Sequence, residues 1–208
     1  MARDDDPDAE RSRDAARVRS PALILVTGQP GAGKTTLARA MAVGLGLPLL
    51  TKDDLKESLA DCLGVGGLEW SRRLGMTSMV LLARLTTLLL DAGVSVVCEG
   101  NFPPGRDSDL ARLLSDRAAR GEIAVVQVLC GADSGTLLER YRSRAATGTR
   151  HPIHLDHVHL ADPRFPARLE RQPETVDLVG AVIAIDTAVP GAMETRAVCD
   201  RVRTALVR

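Results

Sequence analysis

Aromatic side chains are nearly absent from this 208-residue chain: Trp70, Phe102, Tyr141 and Phe165 make up its 2%. Proteins that bind single-stranded nucleic acid use aromatic faces as stacking platforms, and few are available here. Net charge is absent as well. Twenty-seven basic residues balance twenty-seven acidic ones, so no global field draws in nucleic acid or an anionic membrane. The four cysteines, Cys62, Cys98, Cys130 and Cys199, form neither a C-x-x-C nor a close pair, which fits a reducing compartment. Long apolar runs are also missing. The most apolar segment, 74–90, contains Arg84 and is short for a bilayer span. The first twenty residues are charged throughout and hold six acids, unlike a secretory or transit signal, so a cytoplasmic location is expected.

What is present is concentrated in one stretch. Gly28-Gln29-Pro30-Gly31-Ala32-Gly33-Lys34-Thr35-Thr36 matches G-x-x-x-x-G-K-[ST], the phosphate-binding P-loop. The apolar run 22–27 before it reads as a buried strand. Leu37, Ala38, Met41, Ala42 and Leu45 after it have helical spacing. Glycines let the backbone turn its amides toward phosphate oxygens, and the helix start adds unsatisfied N–H groups and its positive dipole end. In such a loop Lys34 reaches the β- and γ-phosphates and the Thr35 hydroxyl holds Mg²⁺. A glycine-rich turn that binds nothing is the weaker reading, since strand, loop, Lys-Thr and helix all occur in order. ATP is expected over GTP, because no guanine-reading N-K-x-D segment occurs.

Strand and helix patterns alternate along the rest of the chain. Strands are predicted at 22–27, 49–51, 94–98, 123–129 and 181–186. Helices are predicted at 35–45, 54–62, 70–91, 107–120, 133–145 and 193–207, with 146–176 irregular. Residues 1–19, alternating Arg and Asp, read as a disordered charged tail, and 20–208 as a single domain. This alternation predicts a three-layer α/β fold of P-loop NTPase type, a five-stranded parallel sheet with a small helical lid at about 140–160. Ligands of such sheets bind at the carboxyl ends of the strands. The P-loop, Asp53 and Glu99 all fall at such ends.

Asp54 and Glu57 read as a capping box, which leaves Asp53 free to act as a base toward an attacking hydroxyl. The alternative is that both aspartates only cap the helix. Glu99, ending a strand, stands where an acid holds Mg²⁺, and Asn101 is a substrate contact or a turn residue. Arg140, Arg144 and Arg150 are placed to be lowered onto a transferring phosphate, with one of Arg140 or Arg144 catalytic; a solvated helix face is the alternative. Lys52 and Lys56 flank Asp53, so either could touch an anionic substrate group. His151, His154, His157 and His159 fall within nine residues, but their spacing matches no common zinc pattern, which favours a lid or substrate-loop role.

Taken together, these pieces resemble the small P-loop kinases related to phage polynucleotide kinase and chloramphenicol phosphotransferase. The phage pattern runs G-x-P-G-S-G-K-S-T, R-D-D-Y-R-Q-S, a strand ending in D-T-N, and an arginine-bearing lid. The counterparts here are 28–36, Lys52-Asp53-Asp54-Leu55-Lys56-Glu57-Ser58, Glu99-Gly100-Asn101 and 140–150. The resemblance implies Asp53 as general base, Lys34 on the phosphates and a lid arginine stabilising charge. Lys56 stands where the phage enzyme has an arginine that grips a substrate phosphate, and an ammonium cannot reproduce that fork. Glu99 stands in place of an aspartate. The expectation is therefore an ATP- and Mg²⁺-dependent phosphotransferase acting on a small-molecule hydroxyl. A polynucleotide 5′-hydroxyl kinase and a regulatory ATPase without an acceptor are the alternatives; oligomeric state is open.

Overall fold

The computed structural model describes residues 20–102 and 109–207. The predicted tail at 1–19 and the turn at Pro103-Pro104-Gly105 lie outside the described residues. Strand β1 (Ala22–Gly28) is buried along its whole length, as an apolar run with neighbours on both edges requires. It is followed by α1 (Lys34–Leu45), β2 (Leu49–Thr51), α2 (Lys52–Leu63), α3 (Leu68–Asp91) and β3 (Val96–Glu99). Then come α4 (Asp109–Ala119), β4 (Ala124–Gly131), α5 (Ser134–Thr147), a 3₁₀ turn (Pro152–His154), α6 (Asp156–Ala161) and α7 (Phe165–Leu169). Strand β5 (Ala181–Asp186) and α8 (Thr195–Leu206) end the described chain.

The five strands pair in parallel in the order β2-β3-β1-β4-β5. Successive strand side chains point to opposite faces, and the sheet divides its apolar residues accordingly. Ile24, Val26, Val97, Val126 and Ile183 meet Leu37 and Met41 of α1, Leu137 of α5 and Val202 of α8 on one face. Leu23, Leu25, Val96 and Cys98 meet Leu82 and Leu90 of α3 and Leu114 of α4 on the other. Helix α3 is long and apolar enough to cross a membrane by length and composition alone, but here Leu74, Leu82, Ala83 and Leu90 are buried against the protein.

With β1 central, its carboxyl end lies beside those of β3 and β4, and two glycines make that crowding possible. A Cβ on Gly28 would stand 1.9 Å from the Cys130 carbonyl oxygen of β4, and one on Gly31 2.8 Å from the Leu137 carbonyl oxygen of α5. Both also have positive φ, at 147° and 83°.

Two expectations need correction. Helix α2 begins at Lys52, and Thr51 is its N-cap, its hydroxyl accepting from the Asp54 amide at 3.0 Å. Thr51 therefore takes the role assigned to Asp54, which instead reaches outward to Arg39 at 3.0 Å. Residues 146–176 are not irregular throughout: they contain the 3₁₀ turn, α6 and α7. These segments of three to six residues are too short to show a helical period in sequence. The cap sets where Asp53 emerges. Thr51→Ala is expected to cost about 1 kcal/mol in chemical denaturation, with Thr51→Ser close to wild type.

Candidate active site

A cleft of about 500 Å³ opens at the carboxyl ends of the strands, bounded by the glycine loop, the start of α2, the end of β3 and the segments after α5. On the loop side the Lys34 ammonium donates to the Gln29 carbonyl at 2.9 Å. Loss of water pushes its pKa down, against the charges of Glu99 and Asp53, which raise it. Gln29 itself is buried and structural. Its amide donates to the Leu169 carbonyl at 2.8 Å, and its side-chain oxygen accepts from the Ala132 amide at 3.4 Å. Gly28, Pro30, Gly31, Gly33, Thr35 and Thr36 line the cleft, whereas the Ala32 side chain is fully buried beneath it. The first-turn amides of α1 have no intrahelical carbonyl to bond and are available to an anion.

The donor set for a divalent cation is present at one point. The Thr35 hydroxyl donates to Glu99 Oε2 at 3.2 Å, so a hard hydroxyl oxygen and a carboxylate already converge beside the phosphate loop. Glu99 is only 4% exposed. Burial pushes its pKa up and Lys34 pulls it down, leaving it raised overall, as expected of a carboxylate in need of a cation. These two residues fit Mg²⁺. Among the described residues no cluster of three His, Cys, Asp or Glu side chains that could hold a metal occurs.

Asp53 faces the cleft with both oxygens engaged: Oδ1 accepts from Lys52 at 3.3 Å and Oδ2 from Arg150 at 2.7 Å. Burial opposes its ionisation, but Lys52, His154 and Arg150 outweigh that effect and hold it well below the usual carboxylate range. Lys56 is 6% exposed. Its ammonium donates to Ser71 Oγ at 2.7 Å and to the Ile153 carbonyl at 3.3 Å, with no carboxylate within salt-bridge distance among the described residues. Burial, with Lys52 adding, brings its pKa down to about 8.

The two candidate arginines of α5 separate. Arg144 lines the cleft, stacks over the Tyr141 ring at 4.8 Å, and leaves its buried Nε without a partner. Arg140 does not line the cleft. Its guanidinium donates to Thr187 Oγ1 and to the Thr187 carbonyl, both at 2.9 Å, tying α5 to the end of β5. Asn101 is exposed on the rim of the cleft.

Several cleft residues carried no signal in the sequence. Arg168, Arg171 and Gln172 fall in the stretch read as irregular, and Ser71, which contacts Lys56 from the first turn of α3, does not itself line the cleft. Of the histidines, His154 and His159 line the cleft, His151 bonds Asp61, and His157 is exposed on α6.

A parallel sheet of this order, with a glycine loop at the central strand and a helical segment over the cleft, defines the fold of small P-loop kinases. The chain belongs to the Zeta toxin family, whose sequence profile matches residues 7–186. A solved candidate kinase of Chloroflexus aurantiacus is 38% identical, with 89% of this chain and 98% of that one covered at a TM-score of 0.76. The APS kinase of Mycobacterium tuberculosis, solved with AMPPNP and APS, shares the fold at 18% identity, 89% and 98% coverage and a TM-score of 0.53. An uncharacterized protein of M. tuberculosis is 32% identical over 130 residues, 59% of this chain. The chain spans about a quarter of the length of the first curated relatives it matches, the aligned part being 26% of theirs.

Burying Lys56 has a measurable consequence. Its folded pKa, about 8, lies below the ordinary 10.5, so the unfolded chain binds this proton more tightly. That penalty on the folded state is full below pH 8 and disappears as pH rises toward 10.5. Lys56→Met is therefore expected to raise the thermal midpoint at pH 7, with a gain that shrinks across that window. A midpoint lowered at every pH would show the ammonium to be a net structural tie.

Proposed function

We propose that the protein is an ATP-dependent phosphotransferase that moves the γ-phosphoryl group of ATP to the hydroxyl of a small molecule. The observation that carries this reading is the meeting, in one cleft, of the phosphate loop with a charged carboxylate, Asp53, and with Arg144, whose buried Nε has no hydrogen-bond partner among the described residues. An ATPase has no need of that carboxylate at the end of β2. The resemblance to phage polynucleotide kinase and chloramphenicol phosphotransferase gives Asp53 the same role.

In the reaction, Asp53 accepts a hydrogen bond from the acceptor hydroxyl and takes its proton as the new P–O bond forms and the bond to the ADP oxygen breaks. Lys34 holds the β- and γ-phosphates. Arg144 faces the charge that spreads over the transferring oxygens, where a desolvated guanidinium stabilises it more than water would. Thr35 and Glu99 are the residues to hold Mg²⁺, which when bound neutralises phosphate charge. Lys56, a cation with no carboxylate within salt-bridge distance among the described residues, stands ready for an anionic group on the acceptor, with Asn101 on the rim. The four free thiols support a reducing, cytoplasmic setting.

A second reading keeps the chemistry and changes the acceptor. Arg144, Arg150, Arg168 and Arg171 share the cleft, and such a basic rim could also hold a nucleic acid 5′ end. Its mark is a steep rise of KM with salt.

The test is Mg·ATP turnover with a panel of small hydroxyl compounds and 5′-hydroxyl oligonucleotides, in wild type and Asp53→Asn. Acceptor-dependent ADP release that falls by about 10²- to 10⁴-fold in Asp53→Asn is expected. Slow ADP release, indifferent to every acceptor and to Asp53, would replace this reading with a regulatory ATPase.

Arg144→Ala is expected to lower kcat at least about 10²-fold while leaving ATP binding within a few fold. Arg140→Ala is expected to act on stability, because its partner is Thr187 rather than the cleft.

A further inference from the structure

The histidines at 151 and 154 have no part in the chemistry above, yet each is paired. His151 Nε2 lies 3.1 Å from Asp61 Oδ1, and His154 Nε2 2.7 Å from Glu57 Oε1. With the Arg150–Asp53 pair at 2.7 Å, three side chains of one short segment meet Asp53, Glu57 and Asp61, spaced four residues apart on α2. That spacing puts the three acids on one helix face. The segment 150–155 is therefore a strap laid along α2. His151 Nδ1 accepts from the Ile153 amide at 3.1 Å, which places the imidazole proton on Nε2, facing Asp61.

The strap is seated by more than charge. Ile153 is fully buried, against Ala60 and Leu74, and its carbonyl accepts from Ser71 at 2.6 Å and from Lys56 at 3.3 Å. Arg150 spans two elements, with one arm on Asp53 and the other on Asp156 Oδ1 at 2.6 Å, where the Tyr141 hydroxyl also donates at 2.7 Å. Leu155, φ 51°, is the one non-glycine residue with positive φ among those described, and it bends the chain just before Asp156. Left-handed backbone at a leucine is strained and persists where surrounding contacts over-determine it.

We propose that Arg150 is a positioning residue for phosphoryl transfer, and that the strap carrying it is a latch, seated by His151 and His154. When docked, the latch aims the Asp53 carboxylate into the cleft. This rests on the reading of Asp53 as the base. The same segment then lines the cleft through His154 and holds the base through Arg150, with Ile153 as its buried anchor. Lifting it would lose both at once, so the base is set in place only in a walled cleft. A rigid planar fork suits this task, because it spans two carboxylates at fixed angles. The groups facing Asp53 are Lys52 and Lys56 from α2, His154 and Arg150 from the strap, Arg144 from α5, Lys34 from α1 and Glu99 from β3. Of these, only Lys52 and Arg150 lie within 4 Å of its oxygens among the described residues.

The test uses the full, unliganded chain and two readouts that need no acceptor. In amide hydrogen exchange, the His151→Ala/His154→Ala double variant is expected to exchange about tenfold faster across 150–156, with α1 unchanged. In carboxyl ¹³C NMR, the Asp53 signal is identified by its loss in Asp53→Asn. Its midpoint is expected to rise by about one pH unit or more in Arg150→Ala, and by less in Arg150→Lys and in the double variant. A midpoint unmoved by Arg150→Ala, or strap amides equally protected in the double variant, would overturn the latch. If Asp53→Asn kept full acceptor phosphorylation, the base reading and the positioning role of Arg150 would fall together. An unmoved midpoint beside an inactive Asp53→Asn would remove only the present proposal.

Discussion

The organising constraint is an ammonium group taken out of water. Lys34 sits where desolvation works against its charge, and the structure offers it a backbone carbonyl and two carboxylates at a distance rather than a close ion pair. A cation left in that condition has a strong interaction to gain from phosphate. The loop that carries it depends on backbone approaches closer than any side chain permits, at Gly28 against Cys130 and at Gly31 against Leu137. Gln29 then pins the loop to Leu169 and Ala132. The phosphate site is thus built into the two sheet–helix interfaces.

The rest of the cleft follows from strand order. Placing β1 between β3 and β4 brings Glu99 opposite Val26 in register and sets it within reach of Thr35. Placing β2 at the edge beyond β3 starts α2 on the far side of the cleft, so that Asp53 faces the phosphate loop across open space. Glu99 and Asp53 stand at the ends of two adjacent strands, and their environments differ accordingly. Burial raises the pKa of Glu99, whereas neighbouring cations hold that of Asp53 down. The same logic divides the arginines. Arg140 and Arg144 lie one helical turn apart on α5, and that turn carries one to Thr187 and the other into the cleft.

Much of this was legible in the chain. The glycine loop has a signature because phosphate binding demands particular residues at consecutive positions. The strands could be read because each is a short apolar run between turn signals, even at the edge strand β5, where only Ile183 and Ile185 are buried. Asp53 and Glu99 were legible from their places at strand ends. The start of α2 was misread because Asp54 and Glu57 satisfy the capping pattern as well as Thr51 and Asp54 do, and only backbone geometry chooses between them. The short helices within 146–176 were missed, since one or two turns carry no period.

By itself, then, the sequence determined the fold class, the phosphate loop and the strand ends where acids cluster, because each depends on residues adjacent in the chain. Which arginine enters the cleft, what binds Asp53, and why the histidines at 151 and 154 are there were decided by tertiary structure alone. Those contacts join residues 97, 97 and 90 positions apart in Arg150–Asp53, His154–Glu57 and His151–Asp61. No local pattern encodes such distances. They arise only when the segment after α5 is folded back along α2, a placement set by the burial of Ile153 and by the helix period that lines up three acids.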